Sequence, residues 1–221
     1  MGTIALITGF EPFGGASVNP SAEVAKRLEG RRIGAWEIRA AILPVHHLSA
    51  ASAMQALLRE HDPVAIVHLG LVAERSQIGL ERVAINVMDY SMPDNEGFQA
   101  RDEPCVAGGP AAYFSTLPLR SMLDAVRGAG APAYLSTTAG TYLCNFVMYT
   151  TLHVLAARRE PPRAGFVHLP LLPSMVARDD PHQPSMDLGL MLRGVEAALE
   201  AAAAAADSAA APADSAAARR P

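Results

Sequence analysis

Short apolar runs alternate with amphipathic stretches along most of the chain. The apolar runs have the length of buried strands, and they predict strands at residues 4–8, 36–43, 64–69, 82–87, 133–136 and 165–169. The amphipathic stretches repeat their apolar positions with a helical period, and they predict helices at residues 21–28, 49–60, 110–114, 119–129, 143–158 and 186–204. We expect Ser21 to cap the first of these helices.

This alternation predicts an α/β fold, in which a mostly parallel sheet is covered by helices on both faces. Residues 70–104 hold little predicted helix, so we expect some antiparallel strands there. From Ala201 the composition collapses to Ala, Asp, Ser, Pro and Arg; the alanines can prolong the last helix, and Pro212 ends it. We therefore predict one domain over residues 1–206 and an Ala-rich, flexible tail over residues 207–221.

Composition and charge exclude several classes of protein. The 221 residues are 50% apolar and 18% charged, so the chain can bury a sizeable core. The net charge of −4 argues against a nucleic-acid partner, because such binding needs a basic face. The two cysteines provide no disulfide framework. These features predict a soluble, intracellular protein.

No membrane partner is expected either. The longest apolar stretch, residues 188–206, is mostly alanine and is interrupted by Arg193, Glu196 and Glu200. A bilayer span needs roughly 20 strongly apolar residues. The first residues have no basic region before their apolar run, so we predict no signal peptide and a cytoplasmic location.

Common cofactor and metal motifs are absent from the sequence. It has no G-x-G-x-x-G after a predicted strand, no H-E-x-x-H and no C-x-x-C, and Lys26 is the only lysine, so there is no P-loop. His46 and His47 are adjacent, which makes it difficult for both to face one ion, and no carboxylate lies near them in sequence. We therefore expect neither a metal nor a cofactor.

Cys144 has a favourable position for chemistry. It follows the small-residue turn Ala139-Gly140-Thr141-Tyr142-Leu143 and falls in the first turn of a predicted helix. The unpaired N–H groups and the positive end of the helix dipole there favour a thiolate, and they can stabilise an oxyanion. The alternative is a small buried hydrophobic residue on a core helix, and position alone leaves both interpretations open.

Two further residues can assist such a thiol. His168 lies near the carboxyl end of the strand predicted at residues 165–169, where ligands bind in open α/β sheets. Glu81 directly precedes the strand predicted at residues 82–87 and can orient an imidazole. Each also has a structural interpretation, because His168 can be a core residue and Glu81 can form a surface pair with Arg82.

A Gly- and Pro-rich loop after the first strand contains Phe10 and Phe13. Aromatic rings exposed in such a loop favour a binding site for a flat ring. The alternative is that both rings fold back onto the core.

Several motifs, in order along nearly the whole chain, resemble pyroglutamyl-peptidase I (pyrrolidone-carboxylate peptidase), a family of cysteine peptidases. They are Thr8-Gly9-Phe10-Glu11-Pro12-Phe13-Gly14-Gly15, Asn19-Pro20, Glu81-Arg82-Val83-Ala84-Ile85-Asn86, Pro93-Asp94-Asn95, Ala112-Tyr113-Phe114-Ser115-Thr116-Leu117-Pro118, Ala139-Gly140-Thr141-Tyr142-Leu143-Cys144-Asn145, Gly165-Phe166-Val167-His168-Leu169-Pro170 and Pro184-Ser185-Met186. Several independent motifs at family-like spacing make the resemblance specific.

The resemblance implies a catalytic triad of Cys144 as nucleophile, His168 as base and then acid, and Glu81 as the residue that orients the imidazole. It also implies a substrate pocket, whose residues are Phe10, Phe13, Asn19, Leu71, Tyr142 and Leu143. The implied fold is a single three-layer α/β/α domain around a twisted mixed sheet. The implied substrates are peptides with an N-terminal pyroglutamate, cleaved without cofactor or metal, and the implied assembly is a homotetramer.

Two other functions remain open at this point. One is an amidase or glutaminase that uses the same Cys–His–Glu set on another small lactam or amide. The other is a non-enzymatic binding module, which we would expect to have lost part of the triad.

Overall fold

The computed structural model describes residues 3–177 and 180–210, and within them the chain alternates strands with helices. The strands are β1 (Ile4–Phe10), β2 (Arg32–Ile33), β3 (Trp36–Leu43), β4 (Ala65–Leu71), β5 (Ile78–Glu81), β6 (Val83–Ile85), β7 (Ala112–Phe114), β8 (Ala133–Ser136) and β9 (Arg163–Leu169). The helices are α1 (Pro20–Leu28), α2 (His47–His61), α3 (Leu119–Gly128), α4 (Leu143–Ala156), α5 (Pro173–Val176) and α6 (Leu188–Ala210).

Seven of the strands form one sheet in the order β2-β3-β1-β4-β9-β5-β8. The pairs β1–β3, β1–β4, β4–β9 and β5–β8 are parallel, whereas β2–β3 and β5–β9 are antiparallel. The predicted α/β fold with a mixed, mostly parallel sheet is therefore confirmed.

The hydrophobic core lies on both faces of this sheet. Successive side chains of a strand point to opposite faces, so neighbouring residues of β9 join different clusters. Val167 packs in the cluster that includes residues of α1, α3 and α6, and Phe166 packs in the cluster that includes residues of α2 and α4. A strand buried on both faces needs apolar residues at nearly every position, which explains the continuous apolar runs in the sequence.

The start of α1 differs from the prediction. Asn19, not Ser21, is the N-cap, because its Oδ1 accepts a hydrogen bond from the Ser21 backbone N–H at 3.0 Å. Pro20 occupies the first helical position, where its missing N–H leaves no bond unmade. Gly9 is needed beside this turn, since a Cβ there would lie 2.5 Å from the carbonyl oxygen of Ser21.

Two predicted elements in the middle of the chain are wrong. The strand predicted at residues 82–87 is only Val83–Ile85, and a separate strand, Ile78–Glu81, precedes it and joins the main sheet. All four residues of that strand are buried, including the charged Glu81. The helix predicted at residues 110–114 is the strand Ala112–Phe114, because this segment pairs antiparallel with Val83–Ile85.

The last helix is longer than predicted and runs through Ala210. Residues 207–210 therefore belong to α6, and Pro212 and residues 214–221 lie outside the described residues. Among residues 3–177 and 180–210, no helix combines the length and the apolar character needed to cross a membrane.

Candidate active site

His168 lies on β9 between two glycines of the neighbouring strands. It pairs with Gly70 of β4 on one side and with Gly79 of β5 on the other. A Cβ on Gly70 would lie 2.9 Å from the Sγ of Cys144, and a Cβ on Gly79 would lie 3.4 Å from Oε1 of Glu81. The two glycines therefore leave room beside the imidazole for a thiol and a carboxylate.

Glu81 is the last residue of β5 and is 1% exposed. Its Oε1 lies 2.7 Å from Nδ1 of His168, which is 5% exposed. A buried carboxylate at this distance accepts a hydrogen bond from the Nδ1–H group. This bond fixes the orientation of the ring and leaves Nε2 facing Cys144. The end of β5, which the sequence analysis did not recognise as a strand, positions this carboxylate.

Cys144 is the second residue of α4, whose N-cap is Tyr142. Its side chain is half-buried and lies beside His168. The backbone N–H groups of Leu143 and Cys144 lie in the first turn, where an α-helix offers them no carbonyl partner. The helix therefore brings free N–H donors and the positive end of its dipole to the sulfur.

The electrostatics of the site favour an imidazolium. Burial by itself lowers the pKa of His168. Negative charge on Cys144 and on Glu81, and hydrogen bonding to both, outweigh the effect of burial and raise this pKa to about 9. His168 thus carries its proton at neutral pH. An imidazolium beside a thiolate is the state from which a cysteine nucleophile attacks.

A cavity of about 300 Å³ opens above this group. Its lining includes all nine residues that the sequence analysis assigned to the site, namely Phe10, Phe13, Asn19, Leu71, Glu81, Tyr142, Leu143, Cys144 and His168. The lining is mostly apolar. Such a cavity suits a small, uncharged and largely flat ligand.

The two phenylalanines of the site differ in their surroundings. Phe10 ends β1 and is only 3% exposed, so the expectation of two exposed rings is wrong for Phe10, which packs into the core beside Phe166. Phe13 lies in the loop, is partly exposed, and has its ring centroid 6.0 Å from that of Tyr142. Phe13 and Tyr142 therefore form the side of the cavity nearer to solvent.

Asn19 has a structural part in the same wall. It is 2% exposed, its Oδ1 accepts from Ser21, and its Nδ2 donates to the backbone carbonyl of Glu11 at 3.1 Å. These bonds hold the Phe13 loop against the start of α1. Asn19 therefore fixes the shape of the cavity through the loop.

The structure also adds residues to the cavity that the sequence analysis missed. Arg75 and Tyr134 both line it, with the Arg75 guanidinium carbon 5.3 Å from the centre of the Tyr134 ring. No local pattern marks this pair, because Arg75 lies in an irregular loop and Tyr134 in a short predicted strand.

Two features near the site are not apparent from the sequence. Burial raises the pKa of the Cys105 thiol to about 12. His46 and His47 do have a carboxylate beside them, since Asp94 lies close to both in the fold. The distance in sequence concealed that contact.

Comparisons with known proteins agree with this geometry. A family model described as pyroglutamyl peptidase matches residues 3–205. The chain is 42% identical to a pyrrolidone-carboxylate peptidase of Pyrococcus furiosus over 200 residues, which are 89% of this chain and 96% of that protein.

Two solved structures are also similar. One is a pyrrolidone carboxyl peptidase from Thermococcus litoralis, with a TM-score of 0.90 and 37% identity over 94% of this chain and 96% of that one. The other is pyroglutamyl peptidase I from Bacillus amyloliquefaciens, with a TM-score of 0.87 and 36% identity over 91% of this chain and 97% of that one.

Proposed function

The chain belongs to the pyroglutamyl peptidase family, and we propose that it removes an N-terminal pyroglutamyl (5-oxoprolyl) residue from peptides with Cys144 as its nucleophile. It is a cysteine-type hydrolase. The observation that carries the catalytic assignment is the 2.7 Å contact between Glu81 and His168, with Cys144 beside the imidazole in a mostly apolar cavity.

The cavity suits the chemistry of the proposed substrate. A pyroglutamyl group is a neutral lactam ring without a free α-amine, so an acidic residue that recognises an ammonium has nothing to hold. Apolar walls that include Phe13 and Leu143 can enclose such a ring, and the hydrogen bonds needed are few.

The first chemical step forms a thioester. The Cys144 thiolate attacks the carbonyl carbon that joins the pyroglutamyl residue to the next amino acid, and the carbonyl oxygen becomes an oxyanion. As the tetrahedral intermediate collapses, the C–N bond breaks and His168 gives its proton to the leaving amine. Glu81 holds the imidazole in place and stabilises its charged form throughout.

The second step regenerates the enzyme. Neutral His168 takes a proton from water, which attacks the thioester carbon, and the C–S bond breaks to release pyroglutamate and the Cys144 thiolate. The backbone N–H of Cys144 is placed to stabilise the oxyanion in both steps. Loss of one such donor typically lowers the rate about 10²–10³-fold.

A direct assay tests the substrate class. The full-length protein should release the reporter from a pyroglutamyl-amide and should leave glutamine and its simple amides intact. An amidase or glutaminase would show the opposite preference. If both substrates are untouched while the protein is folded, the proposed hydrolysis is wrong.

Activity should fall as the pH rises through about 9. Because the pKa of His168 is raised to about 9, the imidazolium persists at neutral pH and is lost above that value. The same sign applies to stability: the contribution of the charged ring is complete below its ordinary pKa of 6.5 and disappears by the time the pH passes about 9. A pH profile of kcat/KM checks this, and an alkaline limb centred near pH 6.5 would contradict it.

Replacing Phe13 with alanine should weaken substrate binding without unfolding the protein. Losing the contact surface of one phenylalanine removes about 1.5–3 kcal/mol, so we expect kcat/KM to fall roughly 10–100-fold. Phe114→Ala is the matched control, since Phe114 is 74% exposed and lies on β7. If Phe13→Ala lowers the melting temperature by many degrees and leaves KM alone, Phe13 is a packing residue.

We also propose that residues 1–206 are the catalytic unit, so deleting residues 207–221 should leave activity nearly unchanged. Apart from proline, the segment has no apolar residue larger than alanine, and Asp207 and Ser208 are exposed. The melting temperature should stay within about 2 °C of the full-length value. A truncated protein that is inactive or changes its oligomeric state would contradict this proposal.

The cytoplasmic location and the homotetramer remain part of the proposal and are supported by the resemblance alone. Light scattering of the purified protein determines the number of chains directly.

A further inference from the structure

Three side chains that the proposed reaction does not use come together beside the active-site loops. His46 is the N-cap of α2, His47 is the first residue of that helix, and Asp94 lies in the loop between β6 and β7. One ligand atom from each residue lies within 4.8 Å of those of the other two. The fold thus joins segments that are almost 50 residues apart in sequence.

Asp94 is held rigidly with one oxygen unused. Its Oδ1 accepts hydrogen bonds from the backbone N–H groups of Glu96 and Phe98, each at 3.0 Å. Its Oδ2 is buried and has no hydrogen-bond partner among the described residues, and the side chain as a whole is 0% exposed. A buried carboxylate oxygen without a partner is unfavourable. Oδ2 of Asp94 is therefore a candidate ligand for a cation.

His47 presents a matching unused nitrogen. Its ring stacks on Phe98 with centroids 4.1 Å apart and meets the ring of Phe146 edge-on at 5.9 Å. Its Nδ1 lies 3.6 Å from Oδ2 of Asp94, which is too long for a hydrogen bond, and it too is buried without a partner. The aromatic contacts therefore hold Nδ1 of His47 facing Oδ2 of Asp94, although the two atoms form no hydrogen bond.

His46 completes the group from the more exposed side. Its Nδ1 accepts a hydrogen bond from the Ser49 backbone N–H at 3.4 Å and lies 2.8 Å from Oγ of Ser49. Binding an ion through Nε2 would move the ring proton to Nδ1, which would then donate to Oγ in place of the longer bond. Metal-bound histidines commonly use their second nitrogen in such a bond.

We propose that His46, His47 and Asp94 bind a divalent transition-metal ion of the zinc type. Two imidazole nitrogens and one carboxylate oxygen suit Zn²⁺, Co²⁺ or Ni²⁺ and do not suit Mg²⁺ or Ca²⁺, which prefer oxygen ligands alone. With bonds of about 2.0–2.1 Å, atoms 3.6 Å apart subtend roughly 120° at an ion between them, close to tetrahedral. Such an ion satisfies both unpartnered atoms at once.

A bound ion would strengthen one wall of the cavity. The backbone carbonyl of Pro93 accepts from the Tyr142 hydroxyl at 3.2 Å, and Asn95 donates to Oε1 of Glu11 at 2.9 Å. The segment around Asp94 thus supports both the Tyr142 side and the Phe13 loop. An ion bound by Asp94, His46 and His47 would link this segment to the start of α2. We therefore expect the ion to raise the melting temperature of the protein.

The test uses the full chain with Cys144→Ser, because the catalytic thiol is itself a ligand for Zn²⁺. Calorimetric titration with Zn²⁺ should give one ion per chain. His47→Phe, which keeps an aromatic ring against Phe98, and Asp94→Asn should each weaken Zn²⁺ binding at least tenfold. His61→Gln, at the other end of α2, is the matched control and should bind as the parent does.

Cobalt provides an independent signature. The Co²⁺ complex should show the visible bands of nitrogen and oxygen ligands and no sulfur-to-cobalt charge-transfer band. The proposal is overturned if the Cys144→Ser chain binds no Zn²⁺, if the His47 and Asp94 variants bind it undiminished, or if a sulfur band appears. Should both of those variants fail to fold without metal, His46→Gln decides, and unchanged affinity in that variant overturns the proposal.

Discussion

Replacing Cys144 with serine should lower kcat/KM for a pyroglutamyl-amide substrate by roughly 10⁴–10⁶-fold. The serine hydroxyl is not ionised beside His168, so the site loses the thiolate–imidazolium pair that precedes attack. The change removes no large side chain, and the residue lies at the surface of the cavity. Steady-state kinetics and a thermal melt of the same preparation separate lost chemistry from lost fold.

Cys105→Ser is the matched control for this change. Cys105 is partly buried, its Sγ lies 3.5 Å from the Val87 carbonyl oxygen, and burial raises its pKa to about 12, so its thiol stays protonated at neutral pH. The control variant should keep near-parent activity. A Cys144→Ser enzyme with more than a tenth of parent activity would remove Cys144 from the nucleophile role.

Replacing Glu81 with glutamine should lower kcat roughly 10³–10⁴-fold. Losses of this size follow when the carboxylate of a triad becomes an amide, because the amide can donate to Nδ1 of His168 and so stabilise the wrong tautomer. The variant keeps the size of the side chain, and KM should change much less than kcat. Steady-state kinetics with the reporter substrate measures both.

A pH profile distinguishes this positioning role from a merely structural one. Glu81 contributes to the raised pKa of His168, so in Glu81→Gln the alkaline limb of the residual activity should move to lower pH. Glu200→Gln, an exposed change on α6, should leave both rate and profile unchanged. A Glu81→Gln enzyme with an unshifted profile would show that Glu81 does not act on the imidazole.

The sequence was sufficient for most strands of the main sheet. It located β1, β4 and β9 because nearly every residue in them is buried, which produces a continuous apolar run, and it gave the bounds of Trp36–Leu43 and Ala133–Ser136. It failed at β5 and β7, because Ile78–Glu81 and Ala112–Phe114 are too short to show a clear period. These two segments form strands because they pair with strands that are distant in sequence. A local pattern does not contain that information.

Two buried histidines show what sequence could not separate. His68 and His168 both lie on buried central strands. The ring nitrogens of His68 lie 2.7 and 3.1 Å from the hydroxyls of Thr8 and Thr151, and burial lowers its pKa to about 3, so it is neutral. His168 has Glu81 and Cys144 beside it and is charged. The neighbours, not the position in the strand, make one of them a base.

The central claim is that Cys144 is the reactive thiol of the pyroglutamyl pocket, and selective alkylation tests it most directly. The protein is treated with iodoacetamide at neutral pH, with and without a pyroglutamate-like inhibitor, and peptide mapping measures the modification of each cysteine against remaining activity. We expect Cys144 to be modified first, activity to disappear in proportion to that adduct, and the inhibitor to slow the labelling because it fills the space beside the sulfur. Inactivation that tracks Cys105, or labelling of Cys144 without loss of activity, would contradict the account.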